Sequence, residues 1–143
     1  VVEHLLEVGD APLAVDRVPT EAPAGDVVDA MTTAPFMVGG TGRTCTDVME
    51  TAGDRVFVKL GAEGVYAAGV RDRGLGVAIK VEDGGRRAVE VALIHTLNAI
   101  GAITDEEARL LRSHGRPDVT NTRGEVVGEL RPAFSLELAG QGV

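Results

Sequence analysis

Between Met37 and Gly84 the chain reads MVGGTGRTCTDVMETAGDRVFVKLGAEGVYAAGVRDRGLGVAIKVEDG, and this stretch limits what the whole sequence can fold into. It carries about half of the 19 glycines, the only cysteine and both lysines. Arg55 to Leu60 alternates, with Val56 and Val58 on one face and Phe57 and Lys59 on the other. Gly61-Ala62-Glu63-Gly64 turns the chain into Val65 to Val70, and Arg71-Asp72-Arg73-Gly74 turns it again into Leu75 to Val81. Loops of about four residues containing glycine join antiparallel neighbours, because a parallel crossover needs a dozen residues or more. The expectation is a glycine-punctuated β-meander.

The flanking residues supply mostly helices. Val1 to Val8 has its apolar residues at helical spacing and reads as the tail of a helix. Pro12 to Pro23, with three prolines, reads as a loop or linker. Asp26 to Met31 is a short helix, and Val38 to Gly42 is too glycine-rich for regular structure. Thr44 is placed to cap a helix that runs to about Ala52, with Asp47 three residues on. Arg86 to Ile100 is the longest helix, with an apolar face broad enough to lie across the sheet. Thr104 and Glu107 form a capping box that opens a helix from Asp105 to Ser113. Glu125 to Leu130 reads as a fourth strand. The fold class is α+β: an antiparallel meander of about four strands packed with helices. The domain plan is one incomplete domain over 1–143, with a helix tail and linker to residue 25, a main region over 26–131, and a tail over 132–143.

At 143 residues there is room for one hydrophobic core. Aromatic residues are scarce, so Val, Leu, Ile and Ala must fill it. A net charge of -8 argues against nucleic acid, which needs a basic surface to displace counterions from phosphates. One cysteine forms no internal disulfide and suits a reducing, cytoplasmic setting. No apolar run approaches the roughly 20 residues that span a bilayer. The chain begins Val1-Val2 and shows no signal-peptide pattern.

Chemically, the inventory is short. Lys59 sits mid-strand beside a turn. It either snorkels to solvent or stands partly desolvated at a sheet edge, with its pKa lowered to serve a nucleophile. Gly61 would then let a substrate approach the backbone. Cys45 lies in the first turn of a helix, where the dipole favours a thiolate, yet composition favours a buried structural cysteine. His4, His95 and His114 are scattered, and no ligand set has metal spacing. Gly39 to Arg43 lacks the Gly-Lys-Ser/Thr ending of a P-loop. Val77-Ala78-Ile79-Lys80 imitates a kinase strand, but the His-Arg-Asp and Asp-Phe-Gly segments are missing, and Lys80 reads as an ordinary strand lysine. Only Ser113 and Ser135 are present, and neither begins a Ser-x-x-Lys.

Several segments nevertheless resemble one family in register. They are Met37-Val38-Gly39-Gly40-x-Gly42-Arg43, Cys45-Thr46-x-x-Met49, and Lys59-x-Gly61-Ala62-Glu63-Gly64-x-Tyr66-Ala67-x-Gly69. Gly74-x-Gly76-x-Ala78-x-Lys80-x-Glu82-Asp83-Gly84 and Pro117-x-Val119-x-Asn121-x-x-Gly124-x-x-Val127-Gly128 follow. Together, over about Ala30 to Arg131, they resemble the C-terminal half of the asparaginase II family. The resemblance implies a serine β-lactamase or glutaminase-like fold and hydrolysis of L-asparagine to L-aspartate and ammonia. It implies that Lys59 pairs with an active-site serine, that Cys45 lies close to the site, and that Gly61, Ala62 and Glu63 border it.

The departures shape the remaining expectations. The family's Ser-x-x-Lys, second serine, Cys-Ser-Gly-Lys-His segment and zinc ligands have no counterpart in this sequence. Where the family carries a longer insert with Asp-Gly-Cys, Val15-Asp16 runs straight into Arg17-Val18-Pro19. The expectations are therefore no metal, no cofactor, and a chain inactive alone that meets L-asparagine when completed by an N-terminal half, with homo-oligomers allowed. The alternative is a non-catalytic scaffold or binding module derived from the family.

Overall fold

The computed structural model describes residues 5–8, 11–17 and 24–136. Its centre is a five-stranded antiparallel sheet in the order β1-β2-β5-β4-β3, built from β1 (Leu5–Val8), β2 (Ala11–Arg17), β3 (Val56–Leu60), β4 (Val65–Val70) and β5 (Leu75–Lys80). Strands β3, β4 and β5 form the meander expected from the turns, with β3 at the edge. Helices α1 (Ala24–Thr33), α2 (Pro35–Gly39) and α3 (Thr44–Ala52) precede the meander, and α4 (Arg86–Ala99), α5 (Asp105–Leu110) and α6 (Arg112–Gly115) follow it. A separate two-stranded sheet pairs β6 (Asp118–Thr120) with β7 (Val126–Glu129). The class is α+β, as the sequence reads.

Two expectations are corrected at the N-terminal end. Leu5–Val8 is a strand rather than a helix tail, and Ala11–Arg17, expected as linker, is the strand that joins it to the meander. Eight residues with two adjacent apolar pairs fit either period, so spacing alone does not decide such a segment. Pro12 explains why β2 reads as a loop. It sits opposite Glu7 of β1, and the pairing with β5 begins only at Leu13, where every residue again has an N–H to give. Residues 1–4 and 18–23, the remainder of those two expectations, lie outside the described residues. A third correction concerns Glu125 to Leu130. Its strand, β7, pairs with β6 and not with the main sheet.

Register explains the core. Val58, Ala68 and Val77 stand side by side across β3, β4 and β5, and Tyr66 and Ile79 form the next row on that face. All five are buried against Val48 and Met49 of α3 and Val89, Leu93 and Leu97 of α4. Burying each large aliphatic side chain contributes about 1.5–3 kcal/mol, so the two helices are held by this face more than by propensity. The opposite face carries Lys59, Ala67 and Ala78 in one row, all exposed, and Phe57 beside Gly69 and Gly76 in the next. Gly69 is required there. A Cβ at that position would lie 2.2 Å from the Phe57 ring. Among the described residues no helix is long and apolar enough to cross a membrane.

Candidate functional site

The five residues singled out by sequence gather around one end of the β3–β4 hairpin. Lys59 lies on the edge strand, as one of its two readings requires, but its ammonium is exposed and among the described residues donates only to the neighbouring Leu60 carbonyl at 3.2 Å. It is not desolvated by the described residues. The turn beyond it is closed by the Gly61 N–H donating to Val65 O at 2.8 Å. Gly61, Ala62 and Glu63 are all exposed, so their backbone faces the same solvent as Lys59.

Behind that turn lies a second one, and the two are fastened together. Glu63 has φ 56°, a left-handed conformation that costs a non-glycine residue roughly 1–2 kcal/mol. Gly64 follows with φ 68°, and a Cβ there would meet Val81 Cγ2 at 2.4 Å and the Gly84 backbone at 2.8 Å. Val81 N–H donates to Gly64 O at 3.0 Å, and Lys80 Nζ donates to Glu63 O and to Val81 O. Lys80 is therefore no ordinary strand lysine. Its ammonium holds the carbonyl of the strained residue and so fixes the turn beside Lys59. Lys59 on β3 and Lys80 on β5 stand on the same face of the sheet, with β4 between them.

Cys45 is buried, and its sulfur joins the helix to the sheet. Among the described residues the edge strand β3 has no strand on its outer side, which leaves the Leu60 N–H unpaired by the ladder. Cys45 Sγ accepts that N–H at 3.3 Å, and the Tyr66 hydroxyl lies 3.5 Å from the same sulfur. Tyr66 is 1% exposed, and burial pushes its phenol well above the usual tyrosine range, with the Cys45 hydrogen bond adding to the shift. The hydroxyl keeps its proton, and either it or the thiol donates across that contact while the sulfur also accepts the Leu60 N–H. This arrangement carries the structural reading of the cysteine. It sets the height of Leu60, and through it the start of the Lys59 turn.

The structure also unites side chains that look scattered in sequence. His114 Nε2 lies 2.6 Å from Asp47 Oδ2, and His114 Nδ1 lies 3.0 Å from Thr44 Oγ1. A carboxylate only accepts, so Nε2 carries the proton; in the neutral ring Nδ1 then accepts from the Thr44 hydroxyl. Thr44 is therefore not the cap that the sequence suggests. Arg43 holds that position without a side-chain bond, and Thr44 is the first helical residue, fully buried. The hydroxyl–imidazole–carboxylate chain ties α6 to the first turn of α3. The sequence names Tyr66, Lys80, Thr44, Asp47 and His114 without these pairings, because the partners are distant in the chain. Only Tyr66 carried a signal, as the single tyrosine one strand away from Leu60. Among the described residues no cluster of three or more His, Cys, Asp or Glu side chains could hold a metal.

The L-asparaginase II family matches residues 6–132. The chain belongs to that family. The match reaches back beyond Ala30 and takes in β2 and all of β1 but Leu5, the strands missed by sequence reading. It also contains Cys45, Lys59, Gly61, Ala62 and Glu63 together with Lys80 and Tyr66. No curated protein matches the chain.

Proposed function

We propose that this chain forms one wall of an amidohydrolase site for L-asparagine. The exposed ammonium of Lys59, on an edge strand beside the clasped Gly61–Gly64 turn within the family match, carries the reading. Lys59 would act on a serine by stabilising its deprotonated form and the charge that develops on the substrate oxygen. The backbone of Gly61, Ala62 and Glu63 would border the substrate. A serine hydroxyl is a weak nucleophile without a partnered base, and the sequence holds no Ser-x-x-Lys, so in this reading the nucleophile is supplied from outside these 143 residues. No cofactor or metal enters this proposal.

The test has two arms. Purified chain given L-asparagine should release no ammonia above the buffer rate, and turnover abolished by Lys59→Ala would overturn the proposed incompleteness. L-Aspartate, titrated in a two-dimensional amide NMR experiment, should shift the signals of Leu60 to Glu63, and Lys59→Ala should remove those shifts. Absence of any shift there would sink the site itself. The continuous buried core formed by these residues alone favours a second reading, a non-catalytic module that binds a small amino acid. It predicts the same shifts but no ammonia when an N-terminal half bearing Ser-x-x-Lys is supplied in trans.

A further inference from the structure

A cleft of about 510 Å³ lies between the first two turns of α4 and the segment from Leu130 to Phe134 that crosses it. One wall is Ala88, Val91 and Ala92 of the helix; the other is Leu130, Pro132 and Ala133. The crossing segment is anchored at both ends. Leu130 N–H donates to Pro117 O at 2.9 Å, and Phe134 meets the His95 ring edge-on with centroids 4.9 Å apart. His95 Nε2 is also 3.2 Å from Phe134 O, so the cleft is held open by contacts rather than left between loose ends.

Three arginines line this largely apolar space, in a chain with 22 acidic residues against 14 basic ones. Arg86 is engaged by Glu90 at 2.5 Å. Arg87 and Arg131 have neither a hydrogen-bond nor an ion-pair partner among the described residues. The Asp83 carboxylate also borders the cleft, but it accepts the Gly85 N–H at 2.7 Å and faces the start of the helix. The cationic groups left to act are thus two guanidiniums beside two apolar walls. We propose that this cleft binds a small organic anion with an apolar body, its acid group held by Arg87 and Arg131. Planar guanidinium groups suit a carboxylate or phosphate, with two parallel N–H donors each, and the apolar walls suit a short hydrocarbon chain or ring. The proposal makes no use of Lys59, so it stands or falls separately from the amidohydrolase reading.

The probes are 4-phenylbutyrate, its neutral alcohol 4-phenylbutanol, and inorganic phosphate, each titrated into the full chain by amide NMR. 4-Phenylbutyrate should give saturable shifts at Arg87, Ala88, Ala92 and Ala133, and nuclear Overhauser contacts from its ring to the Val91 methyls. Phosphate should bind more weakly because it leaves the walls unused, and the alcohol more weakly because it leaves the arginines unused. Arg87→Gln with Arg131→Gln should weaken 4-phenylbutyrate by about tenfold or more, the scale of a lost charge-assisted bond. The core signals of Tyr66 and Val77 in that variant report whether it has folded as wild type does. Equal affinity for acid and alcohol, unchanged affinity in the double variant, or phosphate binding tighter than 4-phenylbutyrate would each overturn the proposal. So would the absence of saturable shifts in the wild-type chain.

Discussion

Tyr66 and Lys80 show how single side chains set the position of a site they do not enter. The phenol of Tyr66 has its pKa raised above the ordinary value of about 10, by burial first and by Cys45 second. In the unfolded chain the phenol ionises near its ordinary value, while in the folded chain it keeps its proton. Its contribution to stability is therefore complete below about pH 10 and is lost as the pH climbs from there towards the folded value. Stability should fall over that window by up to about 1.4 kcal/mol per pH unit from this group. Tyr66→Phe removes the term, so urea midpoints of the variant should decline less steeply than wild type above about pH 10; parallel curves would show the phenol to be solvated. Lys80→Met removes the hold on Glu63 O while keeping the length of the stem. Net hydrogen bonds of this kind are worth about 1 kcal/mol, so the urea midpoint should drop modestly while the amide signals of Ala62 and Glu63 move furthest. If those signals stay in place, the two turns hold each other without the lysine.

At the scale of elements, the best-specified start is that of α5. Thr104 Oγ1 accepts the Glu107 N–H at 3.2 Å, and Glu107 Oε2 accepts the Thr104 N–H at 2.8 Å, the reciprocal pair that the sequence anticipates. Glu107 also engages Arg55, which sits immediately before β3 and reaches the Ala102 carbonyl, so the cap ties α5 to the start of the meander. Thr104→Ala should cost about 1 kcal/mol, read as a lowered urea midpoint with unchanged slope. The elements that were legible in sequence share this local character: glycine turns, a capping box, a period that repeats. The meander from Val56 to Lys80 is bounded by its own turns, and α4 by its length. Strands β1 and β2 lacked any such mark, because the partner that makes β2 a strand is β5, some 60 residues downstream. The same distance hides the candidate site. Lys59 and its turn are contiguous and could be read, whereas Lys80 on Glu63, His114 on Asp47 and Tyr66 on Cys45 exist only once the chain has closed on itself.

Across the whole molecule, stability is unevenly distributed. The meander, α3 and α4 share one buried cluster that runs from Cys45 to Leu97 and on to Leu111. The β6–β7 hairpin adds nothing to it: all four residues of β7 are exposed, including Val126 and Val127. What holds the hairpin down is polar, namely Arg112 to Asp118 at 2.9 Å and to Glu129 at 3.3 Å, with Arg116 to Glu129 at 3.8 Å. Exposed ion pairs of this sort contribute up to about 1 kcal/mol each and weaken with salt, and an isolated two-stranded ribbon is marginal by itself. Amide hydrogen exchange should therefore divide the chain in two. Amides of Ala68, Val77 and Leu93 should exchange only through global unfolding, while Val119 and Gly128 should exchange by local opening at a much smaller free energy. Raising the salt from about 0.05 M to about 0.5 M should speed exchange in the hairpin and leave the sheet nearly unchanged. Leu130 follows β7 directly and begins the wall of the arginine-lined cleft, so the opening of the hairpin should loosen that wall. A ligand in the cleft should slow exchange at Gly128. A hairpin as protected as the meander would mean that its ion pairs act as a network, and the two regions would then unfold as one unit.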